Sequence, residues 1–241
     1  MIRVGTSGWS YDHWEPELYA PGLPARLRLS CYASAFSTVE LNSSFYRWPG
    51  TSAFRSWREK LPDGFLLSVK APRGLTHGKR LYAPEIWAER IAAAWHELGS
   101  VRAVLLVQLP PDLGRDDARL TYFLRAMPAW VRIAVEFRHP SWQHEDVFRI
   151  LEQHSAAYCV MSGARLPCIL RATTDFVYVR MHGPDHDYLY AGSYSTGDLS
   201  WWADRIRDWE RIGKDAFVYF NNDGGANAVR NAMTLRSLLG Q

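Results

Sequence analysis

Eight short apolar runs alternate with segments of helical spacing, and this alternation constrains the fold more than any other feature of the chain. The runs start near residues 2, 38, 65, 103, 132, 157, 176 and 217. Strands that alternate with helices form parallel sheets, and eight such units are what a closed barrel requires. We therefore predict an α/β fold in which residues 1–241 form a single (β/α)8 TIM-like barrel domain. A doubly wound open sheet is the alternative, because the sequence does not give the order of the strands.

The sixth unit departs from this pattern. The segment between the sixth and seventh runs is short and contains Pro167, so the sequence does not predict a clear helix there. We therefore expect the barrel to be irregular around the sixth unit.

The composition is that of an ordinary globular protein, with 47% hydrophobic and 22% charged residues. The formal net charge of +3 is too small for a general nucleic-acid coat, so any cationic site must be local. The three cysteines have no CxxC spacing, which argues against a disulfide framework or a zinc knuckle and favours a reducing cytoplasm. We expect no signal peptide and no membrane partner. The oligomeric state is not determined by the sequence.

The connections that follow the strands are long and rich in polar and aromatic residues, whereas those that precede the strands are short. In a parallel barrel all the long connections lie at the carboxyl ends of the strands, the face on which barrel enzymes build their active sites. The polar residues that end the strands are therefore expected to lie close together.

Seven segments at these strand ends resemble the signature blocks of a known family. They are GTSGWSY, FSTVELNSSFY, SVKAPRGLTH, LVQLPP, VEFRHPSW, YVRMHG and YFNND, which occur in this order between Gly5 and Asp223. They are similar to the blocks of the domain-of-unknown-function family 72, also called YecE-like proteins. The resemblance implies a TIM-like barrel and implies no particular activity.

Carboxylates and imidazoles at the strand ends are the candidate catalytic residues. Charge at the end of a barrel costs free energy unless it is paired, so this density of charge favours a functional site. Glu40 and Glu136 are the candidate acid and base residues, and His139 and His182 are the alternative proton carriers. An ion-pair network that only closes the barrel is the structural alternative.

Three cations at the same face indicate an anionic substrate. Lys70, Arg138 and Arg180 suit a carboxylate or a phosphate. The other candidate substrate-binding residues are Asn42, Tyr46, His77, Gln108, Asn222, Asp223, Trp9 and Tyr11.

The segment NNDGGAN, residues 221–227, suggests a phosphate site. Gly224 and Gly225 lie between the last strand and a helix, where backbone N–H groups can approach an anion. The alternative is that Asp223 only caps the helix and the glycines only make the turn.

Aromatic residues are concentrated in the long loops, where rings can stack on a sugar or a nucleobase. Packing of the loops themselves is the alternative for about half of them. They are Trp9, Trp14, Trp48, Trp142, Tyr11, Tyr46 and Tyr190.

Together these features predict a hydrolase or lyase that acts on a small anionic, ring-containing substrate, such as a sugar phosphate, a nucleotide or a nucleic-acid end. One alternative is a metal-dependent phosphodiesterase resembling barrel-fold endonucleases, which would need a divalent metal. The other is a barrel that binds a nucleotide or nucleic acid without turning it over. No cofactor is predicted, no residue is assigned as a metal ligand, and the net charge does not indicate nucleic acid.

Overall fold

The computed structural model describes residues 1–241 and contains eight β-strands and seven α-helices. The strands are β1 Ile2–Thr6, β2 Thr38–Leu41, β3 Leu66–Lys70, β4 Arg102–Gln108, β5 Arg132–Glu136, β6 Ala157–Ser162, β7 Phe176–Met181 and β8 Asp215–Phe220. The helices are α1 Ala25–Ala35, α2 Thr51–Lys60, α3 Glu85–Leu98, α4 Asp117–Ala126, α5 Glu145–Gln153, α6 Thr196–Arg211 and α7 Asn227–Leu238. No helix is both long enough and apolar enough to cross a membrane.

The strand order confirms the predicted fold class. In the sheet the order is β1-β8-β7-β6-β5-β4-β3-β2, so strands that follow each other in the chain are neighbours. The pairs β1–β8, β3–β4, β4–β5, β5–β6 and β7–β8 are parallel. A parallel bridge between Ser7 and Glu40 links the end of β1 to β2. This is the order of a (β/α)8 barrel and not that of a doubly wound sheet.

The sixth unit lacks its helix, as the short connection suggested. Residues 163–175 form turns and irregular backbone between β6 and β7. Part of this connection supports β6 directly, because the Thr173 hydroxyl accepts a hydrogen bond from Tyr158 N (2.8 Å) and donates one to Ala156 O (2.7 Å). The predicted irregularity is therefore confirmed.

Residue packing divides the chain into two compact units. The first unit contains residues 1–40, 160–171 and 175–241, and the second contains residues 41–159 and 172–174. In both units the strands are buried on both faces, which is why the runs read as continuous apolar segments. Residues 103–107 of β4 and 216–220 of β8 are at most 5% exposed.

Helix ends follow local chemistry. The Asp116 carboxylate accepts a hydrogen bond from Arg119 N at the start of α4 (2.9 Å), and Ser195 and Asp198 form a reciprocal capping box at the start of α6. α3 ends at Leu98 and is followed by Gly99, whose φ of 53° lies in the left-handed region that favours glycine.

The last strand differs most from the sequence expectation, at both of its ends. The run 217–222 predicts a strand that ends with two asparagines, but β8 begins at Asp215 and ends at Phe220. Backbone hydrogen bonds from Asp215 N to Asp175 O (3.1 Å) and from Ala216 N to Met1 O (2.9 Å) extend the ladder at its amino end. Asparagine is depleted in strands, and here both asparagines fall in the following loop.

Candidate functional site

In the first unit, Glu40 lies at the centre of a buried cluster of hydrogen-bond donors. Ser7 Oγ donates to Glu40 Oε1 (2.6 Å), and the Tyr178 hydroxyl donates to Oε2 (2.7 Å). Arg180 donates from Nη2 to Oε1 (2.8 Å) and from Nε to Oε2 (3.0 Å). The side chains of Glu40 and Arg180 are both 0% exposed. The carboxylate therefore accepts four hydrogen bonds, two of them in the bidentate geometry that guanidinium groups favour.

These contacts hold Glu40 in its ionised form. Burial by itself would raise the pKa of Glu40, but the charge of Arg180 and the hydrogen bonds from Ser7, Tyr178 and Arg180 outweigh it and leave the pKa below its usual value. Burial and the neighbouring carboxylate raise the pKa of Tyr178 well above its usual value. A carboxylate so fully occupied by donors is suited to orienting Arg180, and it is less suited to the proton transfer that the sequence suggested for it.

His182 is also buried in the first unit. It is 0% exposed, its Nδ1 lies 3.4 Å from Asn221 Nδ2, and its ring packs edge-on against Tyr190 with centroids 5.2 Å apart. Gly163 allows this packing, since a Cβ atom there would lie 2.8 Å from His182 Cβ. His182 is thus held by surrounding groups, and its predicted role as a proton carrier stays a prediction.

The segment after β8 is organised around Asp223, but not as a helix cap. Trp14 Nε1 donates to Asp223 Oδ1 (2.6 Å), and His13 Nε2 lies 2.9 Å from Oδ2. Asp223 makes no capping hydrogen bond to the following turn. Burial raises the pKa of Asp223, although the contacts with Trp14 and His13 oppose that rise. The alternative in which Asp223 caps the helix is therefore wrong, because its carboxylate is engaged by a loop more than 200 residues away in sequence.

The proposed phosphate turn is open to solvent. Gly224 and Gly225 are exposed, nothing lies within 4 Å of a Cβ built on either of them, and Gly225 has a φ of 60°. Arg230 Nη2 donates to Gly225 O (2.6 Å). The buried Asn222 donates from Nδ2 to Gly192 O and to Asn231 Oδ1 (both 2.9 Å), which ties this segment to the loop before α6.

In the second unit, three predicted residues end neighbouring strands. Lys70 ends β3, Gln108 ends β4 and Glu136 ends β5, and the Cα atoms of Gln108 and Glu136 are direct partners in the sheet. Arg138 Nε donates to Glu136 Oε1, and the side chains of Arg138 and Glu136 are 7% and 0% exposed. Cys159 Sγ lies 3.8 Å from the other carboxylate oxygen of Glu136.

Lys70 lies over an aromatic ring that belongs to a small aromatic cluster. Its Nζ lies 4.4 Å from the centroid of the Phe45 ring, within the range of a cation–π interaction. Phe45 packs edge-on against His77 (4.9 Å) and against Tyr46 (5.2 Å), which is 80% exposed. Burial and the charges of Lys70 and Arg73 lower the pKa of His77, which favours its neutral imidazole.

Two amide oxygens in the second unit are buried without a donor. Asn42 Oδ1 and Gln108 Oε1 have no hydrogen-bond partner. A buried acceptor without a donor costs about 1–3 kcal/mol, and native structures retain few such groups. Both residues follow or end a strand at its carboxyl end, where a ligand with hydroxyl or amino groups would supply the donors.

His139 occupies a cap position after β5. Its Nδ1 accepts from Ser141 N (3.2 Å) and lies 2.8 Å from Ser141 Oγ. Because Nδ1 accepts a backbone N–H, the neutral ring carries its proton on Nε2. His139 is therefore a fixed hydrogen-bond donor at the end of β5.

The aromatic loop residues divide between packing and exposure. Trp14 and Trp142 are at most 1% exposed, and Trp142 Nε1 donates to Leu113 O (2.7 Å), so both are packing residues. Tyr11 donates its hydroxyl to Ser7 O (2.9 Å), and Trp9 O accepts from the Tyr19 hydroxyl. Tyr46 is the most exposed of the large hydrophobic side chains.

Sequence analysis did not predict the unusual backbone between β3 and α3. Residues Gly74–Gly78 form a single turn of π-helix around His77, and Arg80, Leu81 and Ala83 all have positive φ. π-turns and left-handed non-glycine residues are concentrated at functional sites. Since none of the three left-handed residues is Gly, Asn or Asp, composition did not predict this conformation.

No group of three or more histidine, cysteine, aspartate or glutamate side chains is arranged to hold a metal ion. The roles assigned to individual residues of the candidate site stay predictions.

The comparisons with known proteins agree with the motifs. The family model described as "Protein of unknown function DUF72" matches residues 3–241. The chain belongs to this family. The UPF0759 protein YunF of Bacillus subtilis (strain 168) is 27% identical over 99% of this chain and 95% of its own length. The resemblance seen in the sequence is therefore confirmed.

Solved structures support the same assignment and the fold. A DUF72 family protein from Thermotoga maritima MSB8 superposes with a TM-score of 0.89 at 27% identity, and the match covers both chains completely. A xylose isomerase domain protein from Alicyclobacillus acidocaldarius matches with a TM-score of 0.56 at 12% identity, over 100% of this chain and 99% of that one. The second match shows the fold alone.

Proposed function

We propose that the protein is an enzyme, a hydrolase or lyase, that acts on a small anionic, ring-containing substrate at the carboxyl ends of β3, β4 and β5. A sugar phosphate, a nucleotide or a nucleic-acid end has the required chemistry. Barrel enzymes carry their active sites at this end of their strands, which supports the proposal by analogy with the fold.

The observation that carries the proposal is the grouping of Lys70, Gln108 and Glu136 on three neighbouring strand ends. A cation, an amide acceptor without a donor and a carboxylate are there combined in one unit. A network that served only to stabilise the fold would satisfy its buried acceptors, whereas a binding site leaves acceptors for the ligand.

Each group has a distinct role in this proposal. Glu136 transfers the proton, and Arg138 orients its carboxylate through the Nε contact. Lys70 supplies positive charge for the anionic group. Asn42 Oδ1 and Gln108 Oε1 accept hydrogen bonds from hydroxyl or amino groups on the ring.

The experiment that tests the proposal is a turnover screen with the three substrate classes, followed by kinetics of Glu136→Gln. We expect kcat to fall at least about a hundredfold, the usual loss when a general acid or base is removed. The rate is measured per folded molecule below the melting temperature, because the variant leaves Arg138 without its carboxylate partner. Glu97→Gln is the matched control, since Glu97 of α3 also pairs with an arginine, Arg55 of α2, away from the strand ends.

Three outcomes would overturn the proposal. Unchanged kcat in Glu136→Gln would remove the assigned role of that residue. Binding of a nucleotide without any product would support a non-catalytic binding barrel. Turnover that requires an added divalent metal and stops with a chelator would support the metal-dependent phosphodiesterase.

A further inference from the structure

Residues 41–84 carry mainly positive charge, and their few carboxylates lie outside the loops that follow β2 and β3. This segment has eight Lys and Arg residues but only two carboxylates, Glu59 and Asp63. Glu59 lies in the last turn of α2 and Asp63 in the connection from α2 to β3, so both precede the amino end of that strand. The loops at the carboxyl ends of β2 and β3, residues 42–50 and 71–84, contain no carboxylate. The two loops therefore carry cations without carboxylates, whereas the cations Arg58 and Lys60 at the end of α2 are next to Glu59 in sequence.

The two loops pack against each other. Ser44 Oγ donates to Lys70 O (2.6 Å), and Phe45 in the first loop packs edge-on against His77 in the second. The contact between Phe45 and His77 joins the two loops, and Trp48 packs edge-on against Trp87 (6.5 Å) in α3, the helix that follows the second loop.

The backbone of the second loop is firmly held. Leu75 and Leu81 are at most 1% exposed, and backbone hydrogen bonds join Lys79 N to Gly74 O (2.8 Å) and Leu81 N to Leu75 O (3.1 Å). A loop fixed in this way loses little conformational entropy when it binds a partner.

The exposed side chains on this surface include three cations and the aromatic rings of Tyr46 and Tyr82, and Arg119 stacks on the Tyr82 ring (3.8 Å to its centroid). Arg47, Arg73 and Lys79 are exposed and make no ion pair. Tyr46 is 80% exposed. Arg80 contributes less positive charge, since Asp112 pairs with it.

We propose that the surface formed by residues 42–50 and 71–84, here called the cationic loop surface, binds single-stranded nucleic acid. Arg47, Arg73 and Lys79 contact successive phosphates, and an unpaired base stacks on Tyr46. Cations spread over two loops suit a chain of phosphates better than a single phosphate group, and an exposed ring suits a base with a free face. The inference does not depend on the chemistry proposed above for Glu136.

The test is the fluorescence anisotropy of a labelled single-stranded oligothymidylate of about 16 nucleotides, the upper end of typical site sizes. Affinity is measured over a range of salt concentrations for the native protein and for the triple variant Arg47→Ala, Arg73→Ala, Lys79→Ala. Loss of three phosphate contacts reduces the slope of log K against log salt by about 2. At low salt we expect at least a tenfold loss of affinity.

The matched control removes three other cations of the same unit. Arg58 and Lys60 lie in the last turn of α2, and Arg125 lies in the last turn of α4. Changing all three to Ala gives the same change of net charge as the first triple variant. We expect the slope of log K against log salt to fall by less than half as much as in that variant.

Stacking is tested separately with Tyr46→Leu, which keeps an apolar side chain but removes the ring. We expect about a tenfold loss of affinity with no change in the salt slope. The proposal is overturned if the native protein does not bind the oligonucleotide, or if the control variant loses as much slope as the first. It is also overturned if duplex DNA binds as tightly, or if inorganic phosphate at millimolar concentration displaces the strand.

Discussion

Replacing Glu40 with Gln tests whether this residue is an ionised anchor for Arg180. Glu40 and Arg180 are both fully buried, and removal of one partner from a buried ion pair costs about 3–5 kcal/mol. The amide cannot replace the carboxylate in either orientation. Arg180 donates to both carboxylate oxygens, so an amide NH2 at either position would face an N–H donor.

The loss of stability caused by Glu40→Gln should depend on pH in a defined direction. The pKa of Glu40 is lowered in the folded protein, so its stabilising contribution is present above the pKa of an unfolded glutamate, about 4.3. That contribution is lost as the pH falls through the lower folded value. The free-energy difference between native protein and Glu40→Gln should therefore be about 3–5 kcal/mol at pH 7 and clearly smaller at about pH 3.

Urea unfolding followed by circular dichroism at both pH values measures this difference. The control is Asp112→Asn, because Asp112 and Arg80 are 64% and 42% exposed and such surface pairs contribute less than about 1 kcal/mol. A cost for Glu40→Gln below about 1 kcal/mol at pH 7, or an equal cost at both pH values, would refute the reasoning.

Two further predictions concern the loop between β3 and α3. Gly74→Ala should destabilise the protein by about 1–3 kcal/mol in urea unfolding, because the new Cβ would lie 2.7 Å from Cζ2 of Trp87. An unchanged free energy of unfolding would mean that Trp87 can move aside. The pKa of His77 should lie below its usual value of about 6.5 in an NMR titration and should rise in Arg73→Gln, since burial and the charges of Lys70 and Arg73 lower it. Because the folded state favours the neutral ring, the contribution of His77 to stability falls as the pH drops through this range, and a pKa at or above the usual value would contradict the structure.

Much of the fold could be predicted because its signals are local. The alternation of apolar runs with helical segments placed all eight strands, and Pro167 marked the sixth unit as irregular. The predicted strand boundaries were less accurate where hydrogen bonds from distant segments extended a strand, as at the start of β8. The contact of Arg138 with Glu136 joins residues two positions apart, so it was within reach of sequence reasoning.

The sequence by itself determined the residue types at the strand ends and the side of the barrel on which they lie, because both follow from strand direction and periodicity. Only the tertiary structure decided which groups pair. Arg180 lies 140 positions from Glu40, and Trp14 lies 209 positions from Asp223. Such pairs depend on strand order and register, which no local pattern encodes. The left-handed backbone at Leu81 has the same origin, since burial of that side chain holds a conformation that its own preferences oppose.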